Sequence, residues 1–493
     1  MFTRVTKEDM KVILRDAGQV VQWSSLTFLA PLIVALLYME PLDHFIKYII
    51  VAAFAFFLGF VTQKLFKTRS ETDLRRAFLA ITIIWIVYTA LAALPFMLLH
   101  NAGFLDSFFE AMSALTTTGL TVLPLLDSMP KSLIFWRSFI SWLGGVGFVV
   151  MAMVGILTTY NQAAKFITVG GREERLRPSL KNTVREIMII YTLLTLIGVI
   201  MLYMSGLGFF EAVNYSMSAI STTGMDISTQ GLIGLHNYWL DLSLIIIMVL
   251  GATSFYTHYL IIRKKNYRAF LEDKEFQMLL VLGVLSSVII LPKMVLFYQS
   301  NILGLEYAFF HAFSALTCGG FSLEHMALVG KWDDFIKLVL IGTMFIGGAA
   351  GSTAGGIKIS RFWIFLKSIY WKIKSTVLPA HAFFARKFEG RTVDDEQIKE
   401  IIQFILIYLA FIVIGTLVLT SYGHDLGNSA FEVVSAQSNA GISTGISHSE
   451  MPAGIQIMLI INMLVGRLEI IPILALIGIA LSSIPRFRRA YPA

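Results

Sequence analysis

Long apolar runs separated by short polar segments dominate the chain. They lie near residues 22–40, 47–66, 77–99, 134–158, 185–205, 239–262, 277–298, 335–356, 400–421 and 455–483. Each approaches the roughly 20 residues that a helix needs to cross a hydrocarbon core. Lipid offers no water to unpaired backbone groups, so runs of this length predict transmembrane helices and not open strands or loops. About ten spans place both termini on one side. The N-terminal stretch MFTRVTKEDMKVILRDAGQVVQ is polar and of mixed charge. It lacks the short apolar core and small-residue cleavage site of a signal peptide, so the first run reads as a retained anchor.

Composition agrees with the pattern: 56% of the 493 residues are hydrophobic and only 14% charged, against about 25% charged in soluble domains. Charge sets the orientation. With the N-terminus inside, the inner segments are 1–20, 63–76, 163–185, 263–274, 358–399 and the tail from 486, and they hold 32 of the 39 Lys and Arg residues. That bias follows the positive-inside rule. The same basic faces could also dock a cytosolic partner. The net charge of +7 brackets apolar spans and does not cluster with stacking aromatics, which argues against nucleic-acid binding.

From residue 77 onward the spans fall into pairs, and each pair encloses an outer segment too long and too apolar for a simple loop. Aligned, these segments read Ser113-Ala-Leu-Thr116-Thr117-Thr118-Gly119, Ser218-Ala-Ile-Ser221-Thr222-Thr223-Gly224, Ser314-Ala-Leu-Thr317-Cys318-Gly319-Gly320 and Ser435-Ala-Gln-Ser438-Asn439-Ala440-Gly441. They recur at intervals of 105, 96 and 121 residues, long enough for helix, re-entrant loop and helix. Upstream stand Phe109-Glu110, Phe310-His311 and Phe431-Glu432. In the second repeat Phe210-Glu211 lies one helical turn farther from its serine, which predicts a longer second pore helix.

Four glycine-terminated loops at membrane depth predict an ion path. Stacked rings of backbone carbonyls can replace the hydration shell of K⁺, and such a ladder requires backbone angles that a Cβ resists. The hydroxyls of Thr116, Ser221, Thr317 and Ser438 could add an inner oxygen ring. Short helices near 104–115, 208–220, 305–316 and 428–437 would aim their partly negative C-terminal ends at the ion and favour a cation. A single such motif would read as small-residue helix packing; four copies on one predicted side do not.

On these residues the sequence resembles the TrkH/TrkG branch of the Trk/Ktr/HKT superfamily of K⁺ transport proteins over nearly its whole length. Trp142-Leu-Gly-Gly-Val-Gly147 is similar to that family's first helix after a filter. Ile346-Gly-Gly-Ala-Ala-Gly-Ser-Thr-Ala-Gly-Gly-Ile-Lys358 is similar to its broken third-repeat helix, and Gly466-Arg-Leu-Glu469 to its last helix. The resemblance implies an all-α integral membrane protein: four repeats of helix, pore loop, helix in pseudo-fourfold arrangement, after two extra N-terminal transmembrane helices. It divides the chain into an N-terminal membrane segment 1–70 and repeats 71–180, 181–272, 273–392 and 393–493. It further implies K⁺ uptake through a multi-pass protein of a prokaryotic cytoplasmic (inner) membrane with both termini cytoplasmic. The implied partners are a second copy, forming a homodimer, and a TrkA-type cytosolic ring that carries NAD or ATP/ADP; no cofactor is expected in this chain, and K⁺ is the substrate. A serine in place of the first filter glycine goes with Na⁺ transport in the superfamily, so Gly119 argues for K⁺. A KtrB-type, Na⁺-stimulated channel is the alternative, disfavoured by the two extra spans.

Two further features bear on control. Gly347, Gly348, Gly351, Ser352, Thr353, Gly355 and Gly356 interrupt a long apolar run, where glycine weakens a helix. The stretch reads as a gate below the filter or as close helix packing; the resemblance implies the family's intramembrane gating loop. Arg467 stands midway along the last span, where a charge is a functional hypothesis by default. It would repel cations in the cavity, anchor the loop through its carbonyls, or form a structural ion pair, though Glu469, two positions on, faces elsewhere. The nine histidines and single Cys318 show no metal-ligand spacing. His311 reads as a packing or capping residue. No acid–base or nucleophile pair lies at depth, so an intramembrane enzyme is disfavoured.

Overall fold

The computed structural model describes residues 6–159, 180–235, 237–377, 386–388 and 391–468. In chain order its helices are α1 (Lys7–Ser24), α2 (Ala30–Leu37), α3 (Leu42–Leu65), α4 (Leu74–His100), α5 (Phe104–Leu115), α6 (Lys131–Thr159), α7 (Leu180–Met204), α8 (Phe209–Ile220), α9 (Tyr238–Gly251) and α10 (Phe255–Ile262). There follow α11 (Ala269–Glu272), α12 (Lys274–Tyr298), α13 (Asn301–Leu316), α14 (Met326–Val329), α15 (Asp334–Ile346), α16 (Ile359–Val377), α17 (Asp395–Ser421), α18 (Leu426–Gln437) and α19 (Ala453–Arg467). A two-residue antiparallel pair, Lys387–Phe388 with Arg391–Thr392, is the sole sheet among the described residues.

Among the described residues six helices are long and apolar enough to cross a membrane, and a seventh if the bent pair α9–α10 counts as one span. The run at 134–158 lies within α6. The run at 335–356 breaks at Ile346, and that at 455–483 is helical to Arg467, its remainder lying outside the described residues, as does Glu469. The first span starts earlier than the apolar run suggests. Thr6 and Asp9 form a capping box, and Val12, Ile13, Ala17, Gly18 and Val21 bury one face of α1, so a polar-looking stretch is helical on an amphipathic pattern.

The chain divides into two compact units. Among the described residues the first comprises 6–112, 125–137 and Leu468. In it α1 crosses α3 where Gly18 and Gly59 meet: a Cβ on Gly18 would lie 2.9 Å from the Gly59 carbonyl, the close approach that small residues allow in lipid. Phe28 packs on Trp136 at 4.9 Å, and the Trp136 indole donates to the Ala92 carbonyl at 3.1 Å.

The second unit comprises the described residues within 113–124 and 138–467. Its repeats share one scheme. An incoming helix (α7, α12 or α17) packs on a short helix (α8, α13 or α18), which packs in turn on an outgoing one (α9, α15 or α19). The short helices α13 and α18 also touch the outgoing helices of the repeats before them, α9 and α15. Repeats two and three thereby support their successors.

Candidate functional site

The four glycine-terminated loops have one backbone. After its short helix each chain passes a capping residue (Thr116, Ser221, Thr317, Ser438) and enters a left-handed residue: Thr117, Thr222, Cys318 and Asn439, with φ of 55°, 54°, 53° and 52°. The amide of that residue donates to the carbonyl of the alanine three positions back, at 3.0–3.2 Å in all four copies. The next amide donates to the carbonyl of the initial serine, at 2.8–2.9 Å. This is a Schellman helix stop, repeated four times with a side chain where glycine usually sits. Only Asn439 carries a residue type that favours the left-handed region, so the turn was nearly invisible in the sequence. The closing glycines Gly119, Gly224, Gly320 and Gly441 also have positive φ, at 93°, 72°, 75° and 88°.

The loops meet in a closed ring. A Cβ on Gly119 would strike the Thr223 carbonyl oxygen; on Gly224, the Gly319 carbonyl and Gly320; on Gly320, the Ala440 carbonyl; on Gly441, the Thr118 carbonyl. Loop one thus abuts loop two, two abuts three, three abuts four, and four returns to one. The carbonyls of the residues just before each glycine lie against the α-carbons of neighbouring glycines. The ring is also pinned by side chains, with Asn439 Nδ2 donating to Thr118 Oγ1 at 2.9 Å and to the Met463 carbonyl at 3.0 Å.

The capping hydroxyls are engaged locally. Ser221 donates to the Met217 carbonyl and Thr317 to the Phe313 carbonyl, while Thr116 pairs with Thr118 and Ser438 with Tyr408. The Ser221 and Thr317 hydroxyls finish their helix ends, whereas Thr116 and Ser438 are paired with neighbouring hydroxyls. Behind the ring, glycines of the outgoing helices admit the last carbonyl of the short helices: Gly144 faces Leu115, Gly251 faces Ile220, and Gly466 faces Gln437. That contact explains Gly144 in the Trp142–Gly147 motif and Gly466 in the Gly466–Glu469 motif.

Three positions before each serine stands a polar side chain, and in repeats two to four it braces the loop from behind. Glu110 forms a fully buried ion pair with Arg137 at 2.6 Å. Tyr215 reaches Asp226, its hydroxyl 3.4 Å away. His311 Nδ1 lies 2.8 Å from the Tyr307 carbonyl, so Nε2 is left to accept from the Leu323 amide at 3.3 Å, with Ser322 Oγ 3.0 Å away. Glu432 takes hydrogen bonds from Ser443, Thr444 and the Ser447 amide. In repeats two to four the brace spans 11 or more residues and ties the short helix to the chain leaving the loop. Here the expected longer second helix is overturned: α8 has 12 residues, as do α5 and α18, and it is α13 that is longer, with 16. The brace position in repeat two is filled by Asn214-Tyr215, so Phe210-Glu211 is no displaced copy of it. His311→Ala strands the buried Leu323 amide and should lower stability by about 1–3 kcal/mol, read as a lower thermal midpoint in detergent; His311→Gln, which restores an acceptor, should recover part of it.

Below the ring the chain leaves helical geometry between Ile346 and Ile359. Gly347, Gly351 and Gly356 have positive φ of 73°, 67° and 72°, and every turn of this loop is tied to a neighbour. Gly356 donates to the Ser438 carbonyl at 3.1 Å, and Ala349 to the Ala252 carbonyl at 3.0 Å. Phe255 donates back to the Gly351 carbonyl at 3.0 Å. Thr353 Oγ1 lies 2.9 Å from the carbonyls of both Ile220 and Gly251. These bonds explain the 99° bend between α9 and α10, which the apolar run 239–262 did not reveal: the freed backbone groups of residues 251–255 pair with the loop. Gly348 packs on Ala252, Gly355 on the Ser438 carbonyl, and Ser352 caps the Ala349 carbonyl. Arg467, 1% exposed, donates from one terminal nitrogen to the Thr353 carbonyl at 2.8 Å and from the other to the Gly144 carbonyl at 3.0 Å. Of the arrangements open from sequence, it adopts the one that grips the loop.

Comparison with known proteins places this geometry. The sequence profile described as TrkH, cation transport protein, matches residues 46–484. An uncharacterized cation transporter of Methanocaldococcus jannaschii is 33% identical over 96% of both chains. The Trk system potassium uptake protein TrkH of Escherichia coli is 27% identical, covering 94% of this chain and 98% of that one. The crystal structure of the potassium transporter TrkH from Vibrio parahaemolyticus matches with a TM-score of 0.84 at 27% identity, over 97% of this chain and 99% of that one.

Proposed function

Because this chain belongs to the TrkH family of cation transport proteins, we propose that it carries K⁺ across the membrane along the axis of its four loops. The closed ring of glycine–carbonyl contacts supports this reading: it gathers carbonyl oxygens from four chain segments at one place, as replacement of a K⁺ hydration shell demands. The short helices end at the ring, so their partly negative ends favour a cation. The filter residues are Thr116 to Gly119, Ser221 to Gly224, Thr317 to Gly320 and Ser438 to Gly441. Relatives named as potassium uptake proteins match end to end.

In this reading the segment Gly347 to Gly356 is the gate and Arg467 its anchor. K⁺ enters from outside, sheds water in the ring and passes when the loop moves. The basic segments, placed on the cytosolic side, receive a TrkA-type ring that binds NAD or ATP/ADP, and two copies of the chain form a dimer in a prokaryotic inner membrane. The chain performs no covalent chemistry.

Rb⁺ uptake into vesicles containing the purified chain tests the filter. Competition by K⁺ with little competition by Na⁺ is expected. Equal competition by both ions would overturn the assignment.

A further inference from the structure

The loop at 347–358 is held chiefly by backbone groups and by Arg467, but among the described residues a carboxylate also reaches it. Glu275, in the first turn of α12, is 6% exposed, and its Oε2 accepts from the Ala350 amide at 3.1 Å. It does not stand alone. Asp273 caps the same helix, accepting from the amides of Glu275 and Phe276 at 3.0 and 3.3 Å, and its other oxygen takes the hydroxyl of Thr257 on α10. Two carboxylates two residues apart therefore tie three elements together: the bent half-helix α10, the start of α12 and the loop.

The chain joining α10 to α12 is only residues 263–273, and it carries Arg263, Lys264, Lys265 and Arg268. Arg263 is itself anchored to Glu186 of α7 at 2.7 Å. A hydrogen bond to a buried carboxylate is roughly twice as strong as a neutral one, and its loss strands the Ala350 amide. A small shift of the α12 start, transmitted through this short connection, would break that bond without disturbing the ring, whose contacts involve neither Glu275 nor Asp273.

We propose that Glu275 is a positioning residue for the gate: a latch that holds the loop closed through Ala350 and is released by movement of the basic connection between the second and third repeats. This rests on the reading of residues 347–356 as the gate. What recognises the connection is a cytosolic surface carrying acidic side chains, matched to its exposed Lys264, Lys265 and Arg268.

The test compares basal Rb⁺ uptake by the purified full-length chain in vesicles for Glu275→Ala, Glu275→Leu, Glu275→Gln and a chain lacking Gly348 to Gly355. The two acceptorless variants should raise uptake at least about fivefold. Glu275→Gln, which keeps an oxygen acceptor, should stay within about twofold of the parent. Preference for K⁺ over Na⁺ should not change in any of the three, since a merely structural lesion would blur it. Hydrogen exchange supplies an independent readout: amide exchange across residues 347–356 should quicken in Glu275→Ala and Glu275→Leu but not in Glu275→Gln. If the loop deletion raises uptake and the acceptorless variants do not, the latch is wrong and the gate stands. If neither raises it, the gate reading fails and takes the latch with it. Equal rises in the Ala, Leu and Gln variants would also overturn the latch, because the acceptor would then not matter.

Discussion

Gly119→Ser should reduce K⁺ over Na⁺ discrimination by about an order of magnitude, read as the ratio of K⁺ to Na⁺ competition against Rb⁺ uptake. Two effects act together at this position. With φ at 93°, Gly119 occupies a backbone region that side chains resist, at a cost of roughly 1–2 kcal/mol. Its Cβ would also strike the Thr223 carbonyl oxygen, so loops one and two must separate or that carbonyl must turn away. Gly119→Ala makes the same collision without a hydroxyl and should lose selectivity to a similar degree. Gly423→Ala separates strain from collision: Gly423 has φ of 95° with nothing within 4 Å of its absent Cβ, and it should leave selectivity intact. Retained selectivity in both Gly119 variants would remove the ring from the ion path.

The sequence displayed what repeats, and it concealed what differs. Ser-Ala at the start and Gly at the end of each loop were readable because they serve backbone roles that few other residues can fill. The serine carbonyl closes the helix stop, and the glycine admits a neighbour's carbonyl. The left-handed turn between them was hidden because Thr117, Thr222 and Cys318 occupy it against their own preference, held there by the two amide bonds on either side. The brace was half legible. Glu110, His311 and Glu432 stood out, while Tyr215 was missed, since a tyrosine and a glutamate share no pattern although both reach the chain beyond the loop. The bend at residues 251–255 was likewise unreadable. Its cause lies about a hundred residues away, in loop amides and carbonyls that pair with it, and no local propensity records such a partner. The break after Ile346 was legible for the opposite reason: clustered glycines weaken a helix wherever they are.

Arg467→Lys is the substitution that separates two of the three roles the sequence left open for this arginine, charge and clamp. If Arg467 acts by charge, a lysine keeps the barrier and basal Rb⁺ uptake stays low. If it acts as a clamp, uptake rises, because an ammonium on a flexible stem cannot reproduce a planar fork that reaches two carbonyls on different elements. The fork is what the structure displays, with Thr353 on the loop and Gly144 on α6 bridged by two nitrogens of one guanidinium. A hydrogen bond from a charged donor contributes about 1.5–3 kcal/mol, and each 1.4 kcal/mol moves an equilibrium about tenfold. Losing one of the two bonds should therefore raise basal uptake by about tenfold in vesicles holding the chain alone, with Arg467→Gln at least as high. Selectivity should be preserved in both, since the ring is closed by loop backbone and by Asn439. A lysine variant as tight as the parent would return Arg467 to the electrostatic role and leave Thr353, with its bonds to Ile220 and Gly251, as the main hold on the loop.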